Sequence, residues 1–334
     1  MAKEMMKAPK RQLAFVVDLN KCIGCQTCTV ACKKLWTTHP GQAFMYWRNV
    51  ETAPGQGYPR NWRVKGGGYK GGELQKGKRP TLGEYGVPFE FDYEGRLFEG
   101  TRARANPSPT PRWAPNWDED LGVGTYPNNA YMYLPRMCNH CAKPACLEAC
   151  PNDAIYKRED DGIVVINIDL CKGAQNCIES CPYAKPYFNN ASQKANKCIG
   201  CYPRIEKGVA SACVAQCAGR AMHVGFIGDA ASSVHKLTQL WKVALPLHPE
   251  FGTGPNVYYV PPILGPAMED AQGNSGPDPK LPTAYLQELF GPGVVEVLKM
   301  LKEERAKKMA GKPSEVMDAL IGMRSADMMI SPLT

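Results

Sequence analysis

Fifteen cysteines constrain this 334-residue chain more than any other feature of its sequence. They are not spread along the chain as pairs but form four tight groups, at residues 22–32, 138–150, 171–181 and 198–217. An odd number of cysteines leaves one unpaired in any scheme made only of disulfides, and tight grouping is typical of metal ligands. The sequence therefore predicts bound metal rather than a disulfide framework.

The four groups share one spacing pattern. Group one, "CIGCQTCTVAC", reads C-x₂-C-x₂-C-x₃-C, the run that holds iron–sulfur clusters in bacterial ferredoxins. Two residues between cysteines let a tight turn present three sulfurs to one cluster, while the last cysteine lies about one helical turn further on and reaches a neighbouring cluster. Groups two and four, "CNHCAKPACLEACP" and "CIGCYPRIEKGVASACVAQC", lengthen only the middle spacing. The pattern is a fourfold internal repeat with insertions.

Group three, "CKGAQNCIESCP", has Ala174 where the second cysteine belongs. Four clusters with four thiolates each would need one cysteine more than the chain has. The simplest interpretation is three [4Fe–4S] clusters and one [3Fe–4S] cluster whose open corner faces Ala174. The changed cluster charge would make that cluster a better electron acceptor. A complete cubane with water or hydroxide on the open iron is the alternative.

Other classes of function receive less support. Zinc ribbons also use C-x₂-C pairs, but they use two pairs for each metal and seldom add C-x₃-C to both, so a structural zinc scaffold is the alternative of another class. The sequence has no Ser-His-Asp set, paired carboxylates or nucleotide fingerprint, so we expect no catalytic site in this chain. The net charge of +8 arises from scattered residues, so we expect no nucleic-acid partner.

The sequence predicts neither a membrane span nor an export signal. No apolar run approaches the roughly 20 residues that cross a bilayer. The first fifteen residues, "MAKEMMKAPKRQLAF", contain no apolar h-region, cleavage site or twin-arginine pair.

Short apolar stretches around the groups predict an α+β fold. Because each cysteine group lies in a loop between a short strand and a short helix, two ferredoxin-like modules, interleaved in sequence, would hold the four clusters. Strands are predicted at 13–18, 154–157, 163–167 and 221–227. Helices are predicted within 232–245 and 283–309, the second interrupted at residues 291–293.

The module boundaries follow from this interpretation. The first module comprises residues 1–39 and 196–230, and the second comprises 131–195. Between them, residues 40–130 are rich in Gly, Pro and aromatic residues and are predicted to be a long irregular insertion that docks onto another subunit or covers the clusters. Residues 231–334 are predicted to be a helical and loop extension that wraps a partner.

Four segments give the chain a family resemblance. They are "RQLAFVVDLNKCIGCQTCTVACK", "MYWRNVET", "YLPRMCNHCAKPACLEACPNDAIYKREDDGIVVI" and "SADMMISPLT". With the non-cysteine in group three, they resemble the β subunits of membrane-linked molybdenum oxidoreductases, a family that includes respiratory nitrate reductase and the type II branch of the dimethyl sulfoxide reductase family. The resemblance is strongest to the perchlorate-reducing branch. Chlorate, selenate and nitrate reductases and dimethyl sulfide and ethylbenzene dehydrogenases have similar β subunits, so the substrate of the complex stays open.

The resemblance implies that group one pairs with group four and group two with group three. We name the four implied ligand sets sites one to four. The [4Fe–4S] sites are site one (Cys22, Cys25, Cys28 and Cys217), site two (Cys32, Cys198, Cys201 and Cys213) and site three (Cys138, Cys141, Cys146 and Cys181). The [3Fe–4S] cluster belongs to site four (Cys150, Cys171 and Cys177).

The resemblance also implies an electron-transfer role. The chain would relay electrons between a catalytic α subunit, which binds molybdenum through a bis-guanine-dinucleotide molybdopterin, and a haem b γ subunit or a cytochrome. Site one would face the catalytic subunit and site four the haem-bearing one. Related complexes are commonly exported in folded form on a signal carried by the catalytic subunit, which implies a periplasmic location; a cytoplasmic location is the alternative.

Several residues beside the cysteines have open roles. His140 is interpreted as a residue near a cluster or solvent rather than a ligand, and Trp36 as a core packing residue rather than an electron bridge. Five flanking lysines serve either solubility or the stabilisation of reduced clusters. They are Lys33, Lys34, Lys143, Lys172 and Lys185.

Overall fold

The computed structural model describes residues 8–86, 124–125, 127–263 and 267–321, which form a mixed α/β protein with short elements. The strands are β1 (Leu13–Asp18), β2 (Arg48–Ala53), β3 (Tyr69–Lys70), β4 (Glu73–Leu74), β5 (Met132–Met137), β6 (Ile155–Lys157), β7 (Val164–Ile166), β8 (Tyr187–Asn189), β9 (Lys194–Asn196), β10 (Met222–Phe226), β11 (Leu245–Pro246), β12 (Val257–Val260), β13 (Ala267–Glu269) and β14 (Ser275–Pro279).

The helices include the short segments that follow the cysteine loops. They are α1 (Thr27–Trp36), α2 (Ala145–Glu148), α3 (Asn176–Ser180), α4 (Tyr202–Ile205), α5 (Ala212–Ala215), α6 (Ser233–His235), α7 (Thr283–Phe290), α8 (Val294–Met309) and α9 (Glu315–Ile321). A π-helical turn, Lys236–Leu240, continues α6. The four strand predictions are confirmed by β1, β6, β7 and β10, and the predicted break between two C-terminal helices lies between α7 and α8.

Strand β1 lies between two cores, which explains its unbroken apolar sequence. It pairs with β10 on one side and β12 on the other, within a sheet of order β10-β1-β12-β11. Leu13, Phe15 and Val17 face the larger core, which also contains several cysteines. Ala14 and Val16 face a second core that contains residues of α8 and α9. A strand covered on both faces reads as a continuous apolar run.

A third, smaller core joins cysteine groups two and three. Strands β6 and β7 form an antiparallel pair, and helix α2 packs against α3. This core contains Ile155, Val164 and Ile178 together with Cys146, Cys171 and Cys177. Helices α1 and α5 make the corresponding contact between groups one and four. The packing therefore brings together the same groups that the resemblance pairs.

The described part of the insertion is packed into the protein. Strand β2 pairs along its whole length with β5, the strand that leads into group two. Trp62 is buried, and its indole and the Arg136 guanidinium both donate to Glu51, a buried carboxylate on β2. Strand β2 and Trp62 thus belong to the protein core. The predicted docking role of residues 87–123 lies outside the described residues. The module boundaries themselves stay a prediction.

Two further expectations concern membrane spans and the terminal segment of the family resemblance. No helix among the described residues is both long enough and apolar enough to cross a membrane. The terminal segment 325–334, which carries part of the family resemblance, lies outside the described residues.

Candidate metal centres

The thiols of site one meet although they are far apart in sequence. Cys22 lies close enough to Cys28 and Cys217 for their charges to raise its pKa, and together with burial they bring that pKa to about 11. The fourth member, Cys25, is exposed at the tip of the same loop, where the Thr27 hydroxyl donates to its sulfur at 3.4 Å. Helix α1 therefore presents Cys28 inward while the loop before it holds Cys25 at the surface.

Site two forms around the last cysteine of group one. Burial and the neighbouring thiols of Cys198, Cys213 and Cys201 raise the pKa of Cys32 above its ordinary value. Cys32 lies on the buried face of α1, one turn after Cys28, so the helix directs the two thiols to different sets. The structure thus brings together the four thiols named for site two.

All four thiols of site three line one cavity. The wall of this cavity includes Cys138, Cys141, Cys146 and Cys181. Burial, Cys138 and Cys181 raise the pKa of Cys141 to about 12. Cys181 therefore leaves its own group and lies with the three thiols of group two.

A second cavity is lined by the three thiols of site four. Cys150, Cys171, Cys177 and Ala174 all contribute to the wall of this cavity. Burial, Cys150 and Cys171 raise the pKa of Cys177 to about 12. Ala174 thus lies beside the site whose fourth thiolate the sequence lacks.

The loop around Ala174 repeats the backbone of the loop around Cys25. Gly24 and Gln26 have φ values of 69° and 57°, and Gly173 and Gln175 have 73° and 62°. Both loops lead directly into a helix whose N-cap is the left-handed glutamine. A side chain on Gly173 would approach the Gln193 carbonyl oxygen to 2.6 Å, so this turn requires glycine. Ala174 therefore holds the place of a ligand-bearing residue in an otherwise unchanged loop.

The donor chemistry of these sites fits iron–sulfur clusters. Burial and, after it, the charges of neighbouring thiols raise the pKa values of these cysteines, and a cationic group between them would favour the thiolates that bind metal. Within the part of the chain that the structure describes, no three Cys, His, Asp or Glu side chains converge closely enough to hold one metal ion. A zinc ion would need each sulfur about 2.3 Å away. In sites three and four the sulfurs of cysteines from two groups line one cavity, which is the arrangement that shared cluster ligation needs.

A buried arginine, which the sequence reasoning missed, lies between sites one and two. Arg48 on β2 is only 1% exposed. Burial lowers the pKa of its guanidinium, but the charges of Cys28 in site one and Cys213 in site two outweigh burial and raise that pKa above its ordinary value. Arg48 is sixteen positions from the nearest cysteine in sequence, Cys32. The pairing of β2 with β5 and its packing against α1 place Arg48 there, so no local signal could have found it.

Several N–H groups donate to cysteine sulfurs. Trp36 Nε1 donates to Cys201 Sγ at 3.1 Å, while its ring packs against the larger core, which agrees with the interpretation of Trp36 as a core packing residue. Backbone N–H groups also donate to sulfurs in sites one, two and four: Ala221 to Cys217 at 3.3 Å, Gly200 to Cys198 at 3.4 Å and Ala195 to Cys171 at 3.4 Å. Hydrogen bonds to the sulfurs are one means by which a protein tunes a cluster potential.

The flanking lysines do not share one role. The Lys33 ammonium donates to the backbone carbonyl of Gln42 and its neighbours, and Lys143 lies 4.0 Å from the centre of the Tyr69 ring. Lys34 and Lys172 are exposed, whereas Lys185 is buried in the wall of the site three cavity. Another lysine, Lys197, lies just before Cys198 and places its Nζ 3.6 Å from Cys138 Sγ; the sequence reasoning passed over it.

His140 lies beside the thiols without taking a ligand position. It is buried in the wall of the site three cavity, and its Nδ1 accepts from the Val164 N–H at 3.2 Å. Burial, with Lys197 and Lys157 nearby, holds the pKa of its imidazole well below the usual range. The interpretation of His140 as a residue near a cluster agrees with this placement.

Comparison with known proteins agrees with this chemistry. A family model described as a 4Fe-4S dicluster domain matches residues 129–227. The perchlorate reductase subunit beta of Dechloromonas aromatica (strain RCB) is 74% identical over 330 residues, which cover 99% of each chain. The dimethylsulfide dehydrogenase subunit beta of Rhodovulum sulfidophilum is 53% identical, over 96% of this chain and 98% of that protein. The selenate reductase subunit beta of Thauera selenatis is 52% identical, over 95% and 98% respectively.

These matches show that the chain is an iron–sulfur electron-transfer protein with a ferredoxin-like domain. The chain belongs to the family of iron–sulfur β subunits of molybdenum enzymes related to dimethyl sulfoxide reductase, and its similarity to the perchlorate reductase β subunit extends over nearly its whole length.

Proposed function

We propose that this chain is the electron-transfer subunit of a molybdenum-dependent perchlorate or chlorate reductase. It carries three [4Fe–4S] clusters at sites one to three and one [3Fe–4S] cluster at site four. The observation that carries the proposal is the 74% identity to a perchlorate reductase β subunit over 99% of each chain. A selenate reductase or a dimethyl sulfide dehydrogenase is the alternative, since their β subunits are about half identical to this chain.

Contacts between neighbouring sites support a linear order of clusters. Arg48 lies between sites one and two. Lys197 lies near Cys138 of site three and Cys198 of site two. The thiol of Cys177 in site four is close enough to Cys181 of site three for the two charges to interact. The order one, two, three, four extends through two interleaved ferredoxin-like modules.

The protein residues prepare the sites for electron transfer. A bound iron–sulfur cluster would accept and release one electron. The chain contributes buried thiols, N–H donors to sulfurs, and the fixed charges of Arg48 and Lys197, which lower the cost of adding negative charge in a buried place.

Exposed apolar residues mark both ends of this order. Beside site one, Ile23 is 65% exposed and Val30 on α1 is 51% exposed. Beside site four, Ile168 is 46% exposed and Leu170 is 48% exposed. Apolar side chains beside the first and last sites suit protein partners that deliver and receive electrons.

The partners follow from the family. We propose that the site one end contacts a catalytic α subunit that binds molybdenum through bis-guanine-dinucleotide molybdopterin, and that the site four end contacts a haem b γ subunit or a cytochrome. For a reductase, electrons then enter at site four and leave at site one. We further propose a periplasmic location reached by co-export with the α subunit, with the cytoplasm as the alternative.

The proposal is tested on the complex purified anaerobically from its native source. We expect a molybdenum-containing subunit to co-purify, and we expect perchlorate or chlorate to reoxidise the dithionite-reduced clusters as followed by EPR. Clusters that stay reduced with both oxyanions but reoxidise with selenate would assign the complex to the alternative. A chain that purifies without any molybdenum subunit would contradict the proposal.

A further inference from the structure

Two buried side chains cross the boundary between sites two and three in opposite directions. His140 lies between two cysteines of site three in sequence, yet its Nε2 is 3.7 Å from Cys198 Sγ in site two. Lys197 directly precedes Cys198, yet its Nζ is 3.6 Å from Cys138 Sγ in site three. Each residue therefore contacts a sulfur of the other site rather than of its sequence neighbours.

The hydrogen bonding of His140 makes its Nε2 a donor. The Val164 N–H donates to Nδ1 at 3.2 Å, so Nδ1 is an acceptor and the proton of the neutral ring lies on Nε2. The Asn256 side chain fixes the backbone by donating to the His140 carbonyl at 2.8 Å. With the residue 1% exposed, water does not compete for the Nε2 proton. The Nε2–H therefore faces the sulfur of Cys198.

Lys197 is held by the same residue of β7. Its ammonium donates to the Val164 carbonyl and, at 2.9 Å, to the Cys198 carbonyl. The residue is 2% exposed. The peptide groups of Val164 thus fix both donors, His140 through its N–H and Lys197 through its carbonyl.

We propose that His140 and Lys197 are a reciprocal pair of positioning residues that set the potentials on the two sides of the electron step between sites two and three. This inference rests on the proposed function. A donor or a positive charge beside a cluster sulfur stabilises the more negative, reduced state. His140 therefore raises the midpoint potential of site two, and Lys197 raises that of site three most strongly.

The step moves one electron and no proton. One site loses an electron and the other gains it, while His140 keeps its Nε2 proton and Lys197 stays an ammonium ion. Because both donors stay fixed, little reorganisation accompanies the transfer.

The first test is His140→Phe in the intact complex, with midpoint potentials measured by EPR redox titration. Resonances are assigned to sites two and three with Cys213→Ser and Cys146→Ser. We expect the site two midpoint to fall and the site three midpoint to change little, although His140 lies among the site three cysteines in sequence. His140→Gln keeps an N–H donor and should restore part of the shift.

The second test removes the ammonium group. Lys197→Met should lower the midpoint of site three most and that of site two less, because the charge lies near both. Lys143→Met is the matched control, because it removes the same positive charge from a lysine two residues after Cys141. The Lys143 side chain is exposed and contacts the Tyr69 ring. This control should leave both midpoints unchanged.

Iron and sulfide contents of the same samples separate this inference from the proposed function. Wild-type protein without clusters would overturn both. If the variants contain their clusters, two results would overturn the role of the reciprocal pair but not the proposed function. One is that His140→Phe shifts the midpoint potential of site three instead of that of site two, and the other is that neither midpoint potential moves. If the His140→Phe variant does not bind its clusters, the comparison of Lys197→Met with Lys143→Met tests the inference. Equal midpoint potentials in those two variants would overturn it.

Discussion

At the scale of single residues, Ala174 is the most informative position in the chain. Its loop copies the left-handed turns of the Cys25 loop, it is exposed as Cys25 is, and it lines the cavity of site four. The backbone is therefore already arranged for a fourth ligand. A methyl group in that place leaves one corner of the site without a protein thiolate.

Restoring the thiol should complete the cluster. We expect Ala174→Cys to convert the three-iron EPR signal of the oxidised protein into a four-iron signal, because the turn can present a thiolate there as it does at Cys25. Ala174→Ser, with a poorer iron ligand, serves as the control for a changed side chain. Wild-type protein that shows no three-iron signal would contradict the interpretation of Ala174.

The cysteine ligands could be predicted from the sequence, but the charged and N–H-donating groups around them could not. The cysteines repeat at short spacings, so their role could be read locally, and the family resemblance supplied the pairing. Arg48 and Trp36 approach sulfurs of distant groups only through packing. Nothing in the sequence around Arg48 distinguishes it from a surface arginine.

At the scale of elements, the pairing of β2 with β5 ties the insertion to the cysteine core. Glu51 on β2 accepts from Arg136 on β5 at 2.6 Å, and both side chains are buried. Burial alone would raise the pKa of Glu51, but Arg136 and Lys185 outweigh it and lower that pKa. The Arg136 guanidinium also lies 3.7 Å from the centre of the Trp62 ring.

Breaking this ion pair should cost much of the stability of the region. We expect Arg136→Met to lower the free energy of unfolding of the loaded chain by about 3–5 kcal/mol, because it leaves a buried carboxylate without its partner. Lys10→Met, which breaks an exposed pair with Asp160, should cost far less, because solvent screens the two charges. Urea unfolding measures both, and equal losses would contradict a structural role for the buried pair.

Some secondary-structure elements could be predicted from the sequence and others could not. Strand β1 was predictable because its apolar run needs two covered faces, and helices α7 and α8 because a Gly-Pro-Gly break separates two amphipathic stretches. Strand β2, "RNVETA", has four polar residues among its six, and all six are buried. Two of its polar side chains bond to residues distant in sequence, Glu51 to Arg136 and Asn49 to Lys185, so the local pattern did not predict a buried strand.

At the scale of the whole molecule, the account predicts two different docking ends. Ile23→Glu, at an exposed position beside site one, should weaken binding to the catalytic subunit by roughly tenfold or more, because it places a charge in an apolar contact. Ile168→Glu, beside site four, should leave that affinity unchanged. The affinity of each cluster-containing variant for the isolated catalytic subunit measures the difference. If Ile168→Glu weakened binding and Ile23→Glu did not, the catalytic subunit would bind at the site four end, which contradicts the prediction.

The central claim is that fifteen thiols hold a row of four iron–sulfur clusters. Iron, zinc and acid-labile sulfide measured on anaerobically purified native protein test it most directly. The account predicts about 15 irons per chain with a similar amount of sulfide. Colourless protein with stoichiometric zinc and no labile sulfide would contradict it.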